Sequence, residues 1–173
     1  KSGWFAQVQG SYRRNGDFRA ADYNLTNTGL KAKGFSTRFG KNKFESGFEV
    51  YYSYLNNEIG ILGASHIGSS FDLERAINSL QPNLIRDFSY DINAPKQDIT
   101  HHLVKANYYK RFKNFGKVKV QYDYQNNERL EFDRRIGDRR TIPAIDLILQ
   151  THTVLADVNL DANLNRKVNF GIM

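Results

Sequence analysis

Counting every second residue from Trp4 separates Trp4, Ala6, Val8, Gly10 and Tyr12 from Phe5, Gln7, Gln9 and Ser11. A period of two is that of a strand, because successive side chains of extended backbone point to opposite faces. The pattern returns between Phe44 and Tyr54, where Phe48, Val50, Tyr52 and Tyr54 alternate with Gly47, Glu49, Tyr51 and Ser53. It is clearest between Lys117 and Gln125, with Val118, Val120, Tyr122 and Tyr124 on one side and Lys117, Lys119, Gln121, Asp123 and Gln125 on the other. From Thr153 to Leu164, Val154, Ala156, Val158, Leu160, Ala162 and Leu164 oppose Asp157, Asn159, Asp161 and Asn163. Weaker versions run from Leu30 to Phe39 and from His102 to Phe112, and a last strand starts near Val168.

The connections between these strands alternate in length. Gly40 to Lys43, Lys113 to Gly116 and Asn165 to Lys167 are tight, whereas Arg13 to Gly29, Asn57 to Thr100 and Glu131 to Gln150 are long. An antiparallel up-and-down barrel in the outer membrane, with short periplasmic turns and long extracellular loops, produces this alternation directly. The aromatic residues fit the same orientation. Trp4, Phe39, Phe44, Phe112 and Phe115 fall at the short-turn end, and Tyr12, Tyr52, Tyr54, Tyr122 and Tyr124 toward the long-loop end. Two aromatic bands flanking smaller Val, Ala and Leu side chains are what two membrane interfaces require, since amphipathic rings settle at the headgroup level. A soluble sheet with scattered aromatics is the plainer alternative.

Composition narrows the class. The 173 residues have a mean hydropathy of -0.61. No stretch approaches the ~20 apolar residues of a membrane-spanning helix. That excludes a helical membrane protein but not a barrel, whose strands need only ~9 to 11 residues and are apolar at alternate positions. Aromatics at 13% with only 3 prolines favour strands. With no cysteine there is no disulfide framework, thiolate nucleophile or cysteine-based zinc site. The chain opens at Lys1 without a signal peptide and stops at Met173 inside a strand pattern. Residues 1–173 are therefore expected to be a partial barrel domain, with any plug and the remaining strands elsewhere in the protein.

Candidate chemistry lies in the long loops. Ser70 to Ile77 reads as a capped helical turn, with Phe71, Leu73 or Ala76, and Ile77 available for packing, ended by Pro82 and Asn83. It either folds the loop over the barrel mouth or contacts substrate. Arg134, Arg135, Arg139 and Arg140 cluster around Gly137 and Asp138. Their planar donor forks suit phosphate or carboxylate, either of lipopolysaccharide or of an anionic substrate, unless they pair with Glu131, Asp133, Asp138 and Asp146. With His66 they are the candidate substrate-binding residues. His101 and His102 are adjacent and point to opposite faces of a strand, so they do not share an ion easily, and no metal site is expected. The net charge of +7 invites a nucleic-acid partner. The cations are dispersed and lie opposite the aromatics rather than between them, so none is expected. No phosphate loop, activated serine or paired-carboxylate motif stands out, which leaves no catalytic residue, no cofactor and no enzyme.

Certain stretches then resemble a known family: Tyr54-Leu55-Asn56-Asn57-Glu58-Ile59-Gly60-Ile61-Leu62, Ser65-His66-Ile67-Gly68 and Asp72-Leu73-Glu74-Arg75-Ala76-Ile77. Pro95 to His102, Pro143 to Leu147 and Thr151-His152-Thr153 extend the likeness over most of the chain. The chain resembles the barrel of a TonB-dependent outer-membrane receptor of the Bacteroidetes type. The resemblance implies a closed barrel of about twenty-two strands around a plug. It also implies energised uptake of a scarce solute such as a metal chelate, a cofactor or a glycan. The implied partners are outer-membrane lipid and lipopolysaccharide, an inner-membrane energy-coupling complex reached through N-terminal parts, and a surface lipoprotein. A passive porin or structural barrel is the alternative, and a soluble β-rich binding protein comes after it.

Overall fold

The computed structural model describes residues 2–65, 67–134, 141–161 and 167–172. The strands are β1 (Trp4–Asn15), β2 (Phe18–Arg19), β3 (Asn24–Leu25), β4 (Leu30–Asn42), β5 (Ser46–Gly60), β6 (Lys96–Phe112), β7 (Gly116–Phe132), β8 (Ile145–Asp161) and β9 (Lys167–Ile172). A short helix, α1 (Ser70–Asn78), lies between β5 and β6. Seven strands form one antiparallel sheet in the order β1-β4-β5-β6-β7-β8-β9, and β2 pairs with β3 in a small hairpin beside it. Each strand of the main sheet pairs with the next one along the chain, an up-and-down order whose edges, among the described residues, are β1 and β9.

The alternation read from the sequence survives as register. Ala6, Phe39, Val50, Ala106, Tyr122 and Val154 stand opposite one another in a row from β1 to β8. Trp4, Lys41, Phe48, Tyr108, Val120 and Ala156 form the next. These rows share one face. Glu49, Asn107 and Gln121 form a row on the other, and Lys119 stands opposite Asp157 there. Asn107, Gln121 and Asp123 are half-buried by their neighbours, whereas Tyr108, Val120 and Tyr122 on the first face are exposed. In a single-layered sheet the face toward which it bends is the more covered, so below Tyr54 the exposed apolar face is the convex one and the half-buried polar face the concave one.

Apart from Pro95, none of the described aliphatic or aromatic side chains is buried, and no described helix is long and apolar enough to cross a membrane. The only buried polar side chains among them are Asp17, Thr26 and Asn27, and these lie in the loops.

The strands are longer than the alternation alone predicts. β5 continues to Gly60, β6 begins at Lys96, β7 runs to Phe132 and β8 begins at Ile145. The long connections therefore shrink to residues 16–29, 61–95 and 133–144. The tight turns are residues 43–45 and 113–115, and the third connection lies outside the described residues. In the second turn Asn114 (φ 60°) and Gly116 (φ 129°) adopt backbone that glycine tolerates and asparagine accepts more readily than most residues. Trp4 and Phe39 stack at the short-turn end with centroids 5.3 Å apart, and Phe48 meets both edge-on.

Sidedness changes along the extended strands. Above Tyr54 the convex face carries Asn56, Thr100 and Glu128 in one row and Glu58 and Asp98 in the next. The concave face there carries Leu55, Ile59, Ile99, Ile145, Leu147 and Leu149. On β5, β6 and β8 the apolar residues are now mainly concave, although Ile148 is convex, while β7 keeps Asn127, Arg129 and Glu131 concave and Leu130 convex.

Candidate functional site: a loop chamber at the long-connection end

Two loops meet above the sheet and are fastened by buried polar side chains. Asn27 takes a left-handed backbone (φ 66°) in the tip after β3, a conformation asparagine tolerates better than most residues. Its carboxamide nitrogen lies 2.9 Å from the Ile61 carbonyl, 3.0 Å from that of Asn93 and 2.9 Å from that of Pro95. Two protons are thus shared among three acceptors. Its oxygen accepts from the Asn93 amide at 2.7 Å. Asp17 works in the same way, accepting from the amides of Thr28 at 2.9 Å and Ser89 at 3.3 Å. Thr26 accepts from the Arg86 amide at 3.0 Å, and its carbonyl accepts from the Gly63 amide at 3.0 Å. Without these partners the buried polar atoms would each cost about 1 to 3 kcal/mol. Gly60 is required here, because a Cβ on it would lie 2.4 Å from the Asn27 carbonyl oxygen.

The fastened loops enclose a cavity of about 230 Å³ whose wall includes Asp17, Arg86, Asp87, Asp91 and Arg134. Beside it a groove of about 500 Å³ runs past Ile67, Asp72, Arg75, Asn83 and Arg134. Gly63, Leu84 and Arg134 border both spaces. Helix α1 is held by Ser69, whose hydroxyl accepts from the Asp72 amide at 3.1 Å and donates to the Asp72 carboxylate at 2.9 Å. Arg75 pairs with Asp72 at 3.1 Å. The chamber therefore offers cationic, anionic and neutral hydrogen-bonding groups around an open space, a lining suited to a polar solute.

Of the residues singled out from the sequence, Arg134 stands at the junction of cavity and groove, and its amide donates to the Asp133 carboxylate at 2.7 Å. His66, Arg135, Arg139 and Arg140 lie outside the described residues. The helical turn is present, but its apolar side chains do not pack as expected, since Phe71 and Ile77 are exposed. Glu131 pairs with Arg129 of its own strand and accepts from Gln97 at 3.2 Å. Asp17, Thr26 and Asn27 were not singled out. Asn27-Thr28-Gly29 is a turn-forming run that could have flagged them.

The described histidines, His101, His102 and His152, occupy two matching clusters on the convex face and one site on the concave face. His102 accepts or donates through Nδ1 to the Tyr52 hydroxyl at 3.0 Å and lies 5.2 Å from the Tyr54 ring. His152 repeats this with Tyr122 at 2.8 Å and Tyr124 at 4.9 Å. A Tyr-X-Tyr strand facing a histidine is thus used twice, in the hairpins β5–β6 and β7–β8. His101 points to the concave face, 3.4 Å from the Gln125 carboxamide. Among the described residues no three His, Asp or Glu side chains come together to hold a metal ion. Comparison of the chain with protein-family models, with curated proteins and with solved structures finds no match.

Proposed function

We propose that this sheet is part of the wall of a closed outer-membrane β-barrel, and that the barrel is a receptor for energised, TonB-dependent uptake of a scarce solute. The observation that carries the reading is the convex band, where Val120 (43% exposed), Tyr122 (39%) and Val154 (58%) stand exposed in a chain whose described residues bury no apolar side chain but Pro95. A soluble protein rarely leaves a contiguous apolar face of this extent open to water. Hydrocarbon is the environment in which such a face is stable. The Trp4, Phe39 and Phe48 group toward the short-turn end and the tyrosine–histidine clusters toward the long-connection end, Tyr122 among them, supply the rings that two interface girdles need.

Strand length adds height above the membrane. A strand of 17 residues such as β6 or β7 extends roughly 55 Å along its axis, or roughly 40 Å along the membrane normal at the usual tilt. The apolar band of such barrels needs only ~25 Å. The upper rows stand clear of the lipid and carry the loop chamber outward. A chamber of charged side chains mounted on a raised wall suits capture better than free diffusion. Lipid and lipopolysaccharide are the proposed surroundings, with an inner-membrane coupling complex as the energy source.

The test is uptake by cells from which the coupling complex has been removed. Loss of accumulation against a gradient is expected. Transport continuing at full rate would leave a passive porin.

A further inference from the structure

Above the proposed lipid boundary the concave face presents apolar side chains at its flanks, with His101, Asn127 and the cation Arg129 between them. Ile99, Arg129 and Leu147 stand opposite one another on β6, β7 and β8. The adjoining row on the same face holds Leu55, His101, Asn127 and Leu149. Leu147 is 56% and Leu149 61% exposed. The charged groups in this region are Arg129, Glu131 in the row above, and Arg13 at the β1 end of the Arg129 row. Arg129 pairs through Nη2 with Glu131, yet its Nε is closed off from solvent and has no hydrogen-bond partner. An unsatisfied N–H of this kind is costly, and rotation of the guanidinium toward a second carboxylate would relieve it. Arg134 lies in the connection that follows β7.

We propose that this part of the face binds an amphipathic carboxylate, with the anionic head held by Arg129 and the aliphatic or aromatic body laid along Leu55, Ile99, Leu147 and Leu149. The inference rests on the receptor reading and names the class of solute that the receptor takes. Charge complementarity favours an anion, because Arg129 keeps an Nε–H that its pairing with Glu131 leaves without an acceptor. The apolar side chains select the body. A simple inorganic anion would leave them uncovered, and a glycan would cover them with hydroxyls that find no partners there.

The test uses the full-length protein in amphipol, with a spin label at Val120→Cys and, separately, at Asn127→Cys. Accessibility of the Val120 label to oxygen, and not to a water-soluble nickel chelate, reads the barrel independently of any ligand. Decanoate is then titrated against the Asn127 label, with decanol as a tail without charge and acetate as a charge without tail. Saturable protection from the chelate by decanoate is expected, at least tenfold tighter than by either control. Arg129→Gln should reduce decanoate to the level of decanol, and Leu147→Asn should weaken decanoate without producing acetate binding. Folding of each variant is checked by the Val120 label. Equal affinity of decanoate for Arg129→Gln, or equal protection by acetate, would overturn the proposal. So would an Asn127 label already shielded before ligand is added, since other protein would then cover this part of the face. If instead the Val120 label meets the chelate, the barrel itself is wrong.

Discussion

The carboxamide of Asn27 donates to the carbonyl of Pro95 at 2.9 Å across 68 residues of sequence. That bond, with those to Ile61 and Asn93, ties the connection after β1 to both ends of the connection between β5 and β6.

Asn27→Ala should therefore free both loops while leaving the sheet intact. It leaves buried acceptors unpaired and replaces asparagine, which tolerates left-handed backbone, by alanine, which does so less readily, for a combined cost of about 2 to 4 kcal/mol. Asn27→Gly loses the same hydrogen bonds without the backbone penalty, so it should fall between wild type and alanine. Amide hydrogen exchange checks this: protection should fall at Asn93 and Gly63 and hold at Val120.

Gly60→Ala should act on the same junction from the strand side, because the added methyl meets the Asn27 carbonyl. The expected cost is about 1 to 3 kcal/mol, read as a lower loop-melting temperature with unchanged strand content by circular dichroism.

A charge on the convex face should be costly and one on the concave face tolerated. Val120→Arg is expected to cost about 2 to 4 kcal/mol near the bilayer midplane, whereas Gln121→Arg, one residue along, should change stability little. Equilibrium unfolding from lipid vesicles measures both. Equal costs would dissolve the assignment of faces.

The two tyrosine–histidine clusters should contribute separately. Tyr52→Phe and Tyr122→Phe each remove one hydroxyl contact to a histidine Nδ1, worth about 0.5 to 1.5 kcal/mol. The two hydroxyls bond different histidines on different strands, so the double variant should equal the sum of the singles within a few tenths of a kcal/mol. Vesicle unfolding of the three variants tests it.

Residues 1–173 alone should not insert as a monomer, because β1 and β9 have edges that lipid cannot satisfy. Size-exclusion chromatography with mass determination after refolding into detergent is expected to show aggregates or assemblies. A monodisperse inserted monomer would contradict it.

The lower sheet was legible in the sequence because its alternation has a single phase. Val118, Val120 and Tyr122 are apolar and Lys119 and Gln121 polar, and the registers keep them so. The reading stopped where the phase flips. At Leu55 and Asn56 the apolar residue moves to the other parity, and β8 above Gln150 does the same through Leu147 and Leu149. A period-two pattern with a slipped phase looks like a loop, so the upper strands were read as connections. The chamber was only partly visible. Arg134 stood out by charge, whereas Asn27 and Asp17 act through backbone partners far away in sequence, which no local pattern reveals.

In the proposed barrel, the polar rows above Tyr54 would also limit how the wall answers a bilayer of the wrong thickness. Sliding outward would lift the tyrosine–histidine rows out of the interface, and sinking would drag Glu58, Asp98 and Glu128 into hydrocarbon. Both are penalised, so mismatch must be absorbed by thinning or thickening the surrounding lipid rather than by vertical movement of the wall. The loop chamber would then keep a constant height above the headgroups whichever membrane holds it.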